Sequence, residues 1–246
     1  MWTNRSGGLF GVLLMCFTAA CGQTGIRRAA LVADTHLPRP SRILIMDFAV
    51  SEGEVKEYQG IMRQQPNIKS ASERERLLAR EVKDALAEEI VDALKPLGFV
   101  VERVGRDTKA GGTDLLIDGQ FMTVDEGNPL RRLVVGFGDG ASTVESRAQV
   151  YQGPDARKLL DFTTQSDSGK MPGAAATMGA GAVAAGGVSA GMVVANAAVS
   201  GVKTYKSNVA RMAAESGDQV ARYLSEFFAK QGWIRADQVR KARMVY

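Results

Sequence analysis

Histidine and cysteine are nearly absent from this chain of 246 residues, which has one histidine, His36, and two cysteines, Cys16 and Cys21. His36 falls in a polar, proline-bearing stretch ahead of the first long apolar run of the body. A catalytic triad, a histidine general base or a histidine metal cluster would have to work from a segment expected to be flexible, so His36 is read as solvated. Proline is scarce at 7 residues and glycine plentiful at 27, but many of the glycines crowd into one C-terminal stretch, so composition is not uniform along the chain. A strong excess of one charge is also missing: 31 Lys and Arg against 27 Asp and Glu leave +4, with the signs interspersed. A nucleic-acid binder would concentrate far more basic charge on one surface, and no nucleic-acid partner is expected. With 45% hydrophobic and 24% charged residues the chain reads as globular, of a length that suits one substantial domain.

The N-terminus carries an export pattern: a polar start with Arg5, an apolar run from Leu9 to Phe17, then Thr18-Ala19-Ala20 before Cys21. The run is shorter than the ~20 residues of a membrane span. Thr18-Ala19-Ala20-Cys21 resembles the lipobox of bacterial lipoproteins, in which small residues precede a cysteine that is acylated and becomes the mature N-terminus. An ordinary cleaved signal or an uncleaved hydrophobic start are the alternatives. Bulky Met15 stands where a small residue would have to precede Cys16, which leaves Cys21 as the lipidation candidate. The resemblance implies a signal peptide over residues 1–20 and palmitate-type acylation of Cys21. Gly22 in place of Asp implies, by resemblance to proteobacterial lipoproteins, an outer-membrane lipoprotein facing the periplasm. The mature protein would then have no free thiol, which excludes disulfides, thiolate catalysis and cysteine metal sites. Its acyl chains, at about 0.8 kcal/mol per buried CH₂, would hold it on a membrane.

Residues 21–42 are polar, contain Pro38 and Pro40, and are expected to form a lipidated tether. Residues 43–246 are expected to be a single α+β domain. Ile43-Leu44-Ile45-Met46-Asp47-Phe48-Ala49 suits a buried first strand, and 51–70 a loop. Ser72-Glu73-Arg74-Glu75 has the spacing of a capping box, and Leu78, Val82, Leu86, Ile90 and Leu94 then form one stripe at helical spacing until Pro96 and Gly98. Phe99 to Val104 reads as the next strand, completing a β-α-β crossover. Strands are expected near 114–125, 130–137, 142–152 and 157–166. The turn-formers between them are Gly127-Asn128-Pro129, Gly138-Asp139-Gly140 and Gly153-Pro154-Asp155, which suits an antiparallel meander. Val209, Met212, Val220, Leu224, Phe227 and Phe228 mark a second amphipathic helix between about 204 and 230, stopped by Gly232. Residues 233–246 are expected to add a short strand or helix. The fold class is α+β: one mixed, mainly antiparallel sheet with a β-α-β start, a long covering helix, a Gly/Ala-rich segment and a C-terminal amphipathic helix.

No charged residue stands between Lys170 and Lys203, and Gly and Ala fill most of that insertion, at about 171–202. Its length exceeds a span, but its bulky apolar residues are few. Gly187, Gly191 and Ala195, like Ala182, Gly186 and Ala190, recur at fourfold spacing, which on a helix makes a groove for close backbone approach. Gly187, Gly191 and Ala195 are therefore the candidate interaction residues. A packed helix or hairpin, a flexible excursion and a membrane-inserted segment all remain open.

Asp114, Asp118 and Asp125 invite comparison with a carboxylate site. Positions 114 and 118 share one side of a strand, but nothing supplies further oxygen ligands at recognisable spacing, and no metal is expected. Gly136-Phe137-Gly138-Asp139-Gly140-Ala141 lacks the lysine of a P-loop and precedes a strand, so it reads as a hairpin connection. These residues and others carry a family likeness. Ile43-Leu44-Ile45-Met46-Asp47-Phe48, the Gly136 to Ser142 turn, the strands Val144–Tyr151 and Leu159–Thr164, and the Ser168-Gly169 step resemble the bacterial lipoprotein family catalogued as domain of unknown function 4410, over about residues 40–230. The opening strand and long helix are also similar to the soluble core of curli-secretion-type lipoproteins. The resemblance implies no established activity, so no catalytic residue and no cofactor follow from it. The expectation is a non-enzymatic cell-envelope lipoprotein that meets the membrane through its lipid and binds a protein partner or itself, with no small-molecule substrate identified. A secretion or pore component whose Gly/Ala segment inserts is the alternative. A hydrolase pairing two of the aspartates is a third reading.

Overall fold

The computed structural model describes residues 23–31, 36–50, 55–56, 71–127, 141–168, 205 and 207–245. Seven strands and two long helices are found among them: β1 (Thr24–Leu31), β2 (Ile43–Met46), β3 (Val55–Lys56), α1 (Ala71–Leu94), β4 (Val101–Val104), β5 (Leu115–Asp125), β6 (Thr143–Gln152), β7 (Arg157–Asp167) and α2 (Asn208–Lys230). They form one mixed sheet in the order β1-β7-β6-β5-β2-β4, with β3 also paired to β5. The expected crossover is present, because β2 runs parallel to both β4 and β5 and α1 lies between β2 and β4 in the chain. Three of the four strands expected in the meander are present as β5, β6 and β7, which pair antiparallel in succession, β5 directly with β6.

Each helix forms where its apolar spacing demands a buried face. On α1, Leu78, Val82, Leu86, Ile90 and Leu94 are all buried, one stripe repeated every four residues. Pro96 then falls in a 3₁₀ turn, and Gly98, at φ +81°, supplies the left-handed residue that closes it, its N–H donating to the Lys95 carbonyl at 3.1 Å. On α2, Ser207 caps the start by accepting from the Ala210 N–H at 3.2 Å, while Val209, Met212, Val220, Leu224, Phe227 and Phe228 are buried. The helices pack on each other and on one side of the sheet, α1 over β2, β3 and β4, and α2 over β1, β6 and β7. Their approach is close at Gly217, where a Cβ would meet the Leu86 carbonyl oxygen at 2.7 Å and the Glu89 Cβ at 3.1 Å.

The segment expected to be a tether, residues 21–42, differs from expectation. Residues 24–31 are β1, paired antiparallel with β7 from Thr24 opposite Ser166 to Leu31 opposite Leu160. The segment after it is also fastened. The Leu37 N–H donates to Gln231 Oε1 at 2.9 Å, the Trp233 indole donates to the Leu37 carbonyl at 3.0 Å, and Arg39 donates to the carbonyls of Trp233 and, at 3.0 Å, Gly98. Beneath it Phe99, Phe227, Phe228 and Trp233 form an aromatic cluster, with the Arg39 guanidinium 4.4 Å above the Phe99 ring. Polar composition suggested a solvated linker, but burial of Thr24 and Ile26 and pairing across the chain make it part of the domain.

Other differences are smaller. The strand expected from Phe99 begins at Val101 because Phe99 is taken into the aromatic cluster. Helix α1 begins at Ala71, which places Ser72 inside its first turn. The last residues supply both kinds of appendage: a 3₁₀ turn at Ala236–Gln238 and a bridge from Met244 to Ile26 that runs parallel to β1. The strand expected at 130–137, the Gly138-Asp139-Gly140 turn and the Gly/Ala segment lie outside the described residues.

Candidate interaction surface

The motif residues Asp47 and Phe48 have separate structural tasks. Phe48 is buried against the edge of Phe121, with ring centroids 6.1 Å apart. It lies over Gly119, where any Cβ would collide with the Phe48 ring and the Arg147 carbonyl. The Ala49 N–H donates to the Gly119 carbonyl and the Phe121 N–H to the Ala49 carbonyl, both at 2.8 Å, which carries the β2 path along β5. Asp47 accepts from Arg103 Nε at 2.5 Å, and the same guanidinium donates to Asp84 of α1 at 2.6 Å. One arginine therefore joins strand, loop and helix.

The three aspartates singled out in the sequence do not form one site. Asp114 is buried, accepts from Arg42 at 2.7 Å and from the Gly111 N–H at 3.2 Å, and is held below the ordinary carboxylate range by Arg42 against the opposing effect of burial. Asp118 faces Arg106 at 3.4 Å, and Asp125 accepts the Gly127 N–H at 2.8 Å. Asp114 and Asp118 are four residues apart, roughly 13 Å along a strand, and each has its own partner. Among the described residues no three His, Cys, Asp or Glu side chains gather as a metal site. His36 is exposed at φ +71°. Cys21, Gly187, Gly191 and Ala195 lie outside the described residues.

What the strands do assemble is a polar sheet face opposite the helices. Arg147 holds Asp161 with two parallel bonds of 2.7 Å, Gln149 donates to the same carboxylate at 2.9 Å, and Lys158 approaches it at 3.3 Å. Tyr151 donates to Gln149 at 3.0 Å and lies under the Lys158 ammonium. The Arg147 bonds lead the forces that keep Asp161 well below the usual carboxylate range, with Gln149 and Lys158 adding to them and burial opposing.

A second surface lies at the β1 edge, built by two distant parts of the chain. The Ile26 N–H donates to the Arg243 carbonyl at 2.7 Å and the Val245 N–H to the Ile26 carbonyl at 2.8 Å. Behind this contact the tail is fastened along α2: the Arg240 N–H donates to Ser225, the Ala242 N–H to Glu226 and the Arg243 N–H to Gln219. Arg27, Arg28, Arg240, Lys241 and Arg243 are thereby brought to one rim, all exposed. Sequence reading passed over this grouping, although Arg27-Arg28 and Arg240-Lys241-Ala242-Arg243 are short basic runs visible at either end of the chain.

A mixed sheet covered on one face by two packed helices defines a two-layer α+β domain. The chain belongs to the family described as Domain of unknown function (DUF4410), whose model matches residues 43–185, more than half of its length. No curated protein matches it. Among solved structures it is similar to the PelC dodecamer from Paraburkholderia phytofirmans, at 11% identity and a TM-score of 0.31 over 61% of this chain and 82% of that one. It is also similar to protein XCC0632 from Xanthomonas campestris, of the family DUF330, at 15% identity and a TM-score of 0.34 over 85% of this chain and 94% of that one.

Proposed function

We propose that this protein is a non-enzymatic cell-envelope lipoprotein, held by an acylated Cys21 at the periplasmic side of the outer membrane, whose α+β domain binds a protein partner or a second copy of itself. The observation that carries this reading is a meeting of boundaries. The sequence resembling a lipobox ends at Cys21, and the sheet begins at Thr24, so cleavage before Cys21 leaves every described residue in place. The engagement of Asp114, Asp118, Asp125 and Asp161 in structural contacts supports a binding role over a carboxylate hydrolase. A second reading, a secretion or pore component, draws support from the uncharged stretch between Lys170 and Lys203.

The test is metabolic labelling with palmitate followed by fractionation. The wild-type chain takes up label and sediments with outer membranes, and Cys21→Ala loses label and enters the soluble periplasm. An unlabelled wild type removes the lipoprotein reading, and a Cys21→Ala chain that stays in the membrane favours the inserted segment. Deleting 173–201 from the labelled chain should abolish its crosslinked partner or oligomer, and unchanged crosslinks refute that segment as the binding surface.

A further inference from the structure

The correction to the tether alters how the domain meets a membrane. Thr24 is already in the sheet, so only Gly22 and Gln23 separate it from Cys21. Three residues of extended chain reach about 11 Å at most, close to the ~8 Å Debye length of a physiological solution. If Cys21 carries lipid, the β1 edge is held where a charged bilayer surface is still felt.

That edge carries unbalanced positive charge. Arg27 faces Glu145 at 3.8 Å, and Asp218 holds both Arg222, at 2.6 Å, and Arg240. Glu215 binds Arg211 and accepts from Thr24, and Glu226 accepts the Ala242 N–H. Asp167, the acid next to the start of β1, is satisfied by Thr143 at 3.0 Å and Gln165 at 2.8 Å. Asp167 and Glu226 meet neutral donors and keep their negative charge, but Arg28, Lys241 and Arg243, which have no ion-pair partner among the described residues, outnumber them, and Met244 beside them is 45% exposed. A cationic rim with an apolar side chain at its edge matches the chemistry of a bilayer of anionic phospholipids, where phosphates meet the acyl boundary.

We propose that Arg28, Lys241 and Arg243 form a membrane-facing surface that binds the phosphate headgroups of anionic lipids and so orients the domain on the bilayer. The proposal rests on the lipoprotein reading for its geometry, and it is tested apart from it. Acylation is read by the intact mass of the protein extracted from membranes. The surface is read with the polypeptide from residue 22 onward, which keeps every described residue and lacks the lipid, by cosedimentation with vesicles of phosphatidylglycerol in phosphatidylcholine.

The expected result is binding that requires phosphatidylglycerol, disappears in 0.5 M salt and weakens roughly a hundredfold in Arg28→Gln/Lys241→Gln/Arg243→Gln. The comparison variant Arg76→Gln/Arg80→Gln/Lys95→Gln, which removes as many exposed cations away from the β1 edge, should bind like the parent. Lys241→Gln alone should weaken binding about fivefold and serves if the triple variant does not fold. Equal binding to pure phosphatidylcholine, or equal losses in both triple variants, overturns the proposal. An unacylated native protein with an intact vesicle result refutes the lipid anchor and leaves the cationic surface standing.

Discussion

Val144, Ser146, Ala148 and Val150 of β6 are fully buried beneath the helices, whereas Glu145, Arg147 and Gln149, the residues between them, stand on the opposite, polar face. The same strand thus serves two environments, and the contrast continues across its neighbour: Leu160 and Phe162 of β7 point into the core while Asp161 collects Arg147, Gln149 and Lys158. A slip of one residue would exchange the two sets, placing charge under the helices and Phe162 in solvent, so the two faces together hold the register. They do so unequally. Apolar burial supplies most of the stability, and the ion pair beside water adds a smaller, directional term.

Breaking the covered face should have the largest effect. Phe162 is 1% exposed and packs against Tyr223 of α2 with ring centroids 4.8 Å apart. Phe162→Ala should lower the unfolding free energy by about 4 kcal/mol in urea titration, through lost transfer and an unfilled cavity. A loss below about 1 kcal/mol would show that the face is not packed as described.

The seam between the helices above that face should be the next most sensitive. Gly217→Ala pushes a methyl toward the Leu86 carbonyl. The collision should outweigh the ~1 kcal/mol that alanine gains in helix propensity and leave a net loss of roughly 2 kcal/mol in the same titration. A stabilised variant would mean that α1 and α2 lie farther apart.

The open face should respond least, and its response should depend on pH. Asp161→Asn is expected to cost about 1 kcal/mol near pH 7, the pair being discounted because Arg147 is half in water. Because the folded carboxyl is held below its unfolded value of about 3.9, its contribution is fully present above that pH and is lost as the pH falls toward the folded value. Thermal unfolding of the two proteins should therefore draw together progressively as the pH falls below 4. A gap that persists or widens in acid would assign the effect to packing instead.

The parts of the fold legible in the sequence were those with a local period. Leu78 to Leu94 marked α1, Val209 to Phe228 marked α2, and Gly98 and Gly232 marked where they stop, at φ +81° and +74°. The strand just before Asp47-Phe48 was legible as well. What stayed hidden was β1, whose run Thr24-Gly25-Ile26-Arg27-Arg28 has too little apolar content to stand out as a strand. The basic rim was hidden for a different reason: Arg28 and Arg243 meet only through a bridge between Ile26 and Met244.

By itself, then, the order of residues determined the helices, the two-residue alternation of the meander and the turn at Gly153-Pro154-Asp155, because each depends on side chains within a few positions of one another. Only the tertiary structure decided that residues 24–31 close the sheet, that Leu37 and Arg39 clasp the aromatic cluster, and that the tail comes to lie beside β1. Those pairings join groups from about sixty to more than two hundred residues apart, and their free energy exists only once the sheet and α2 have formed the surfaces that hold them.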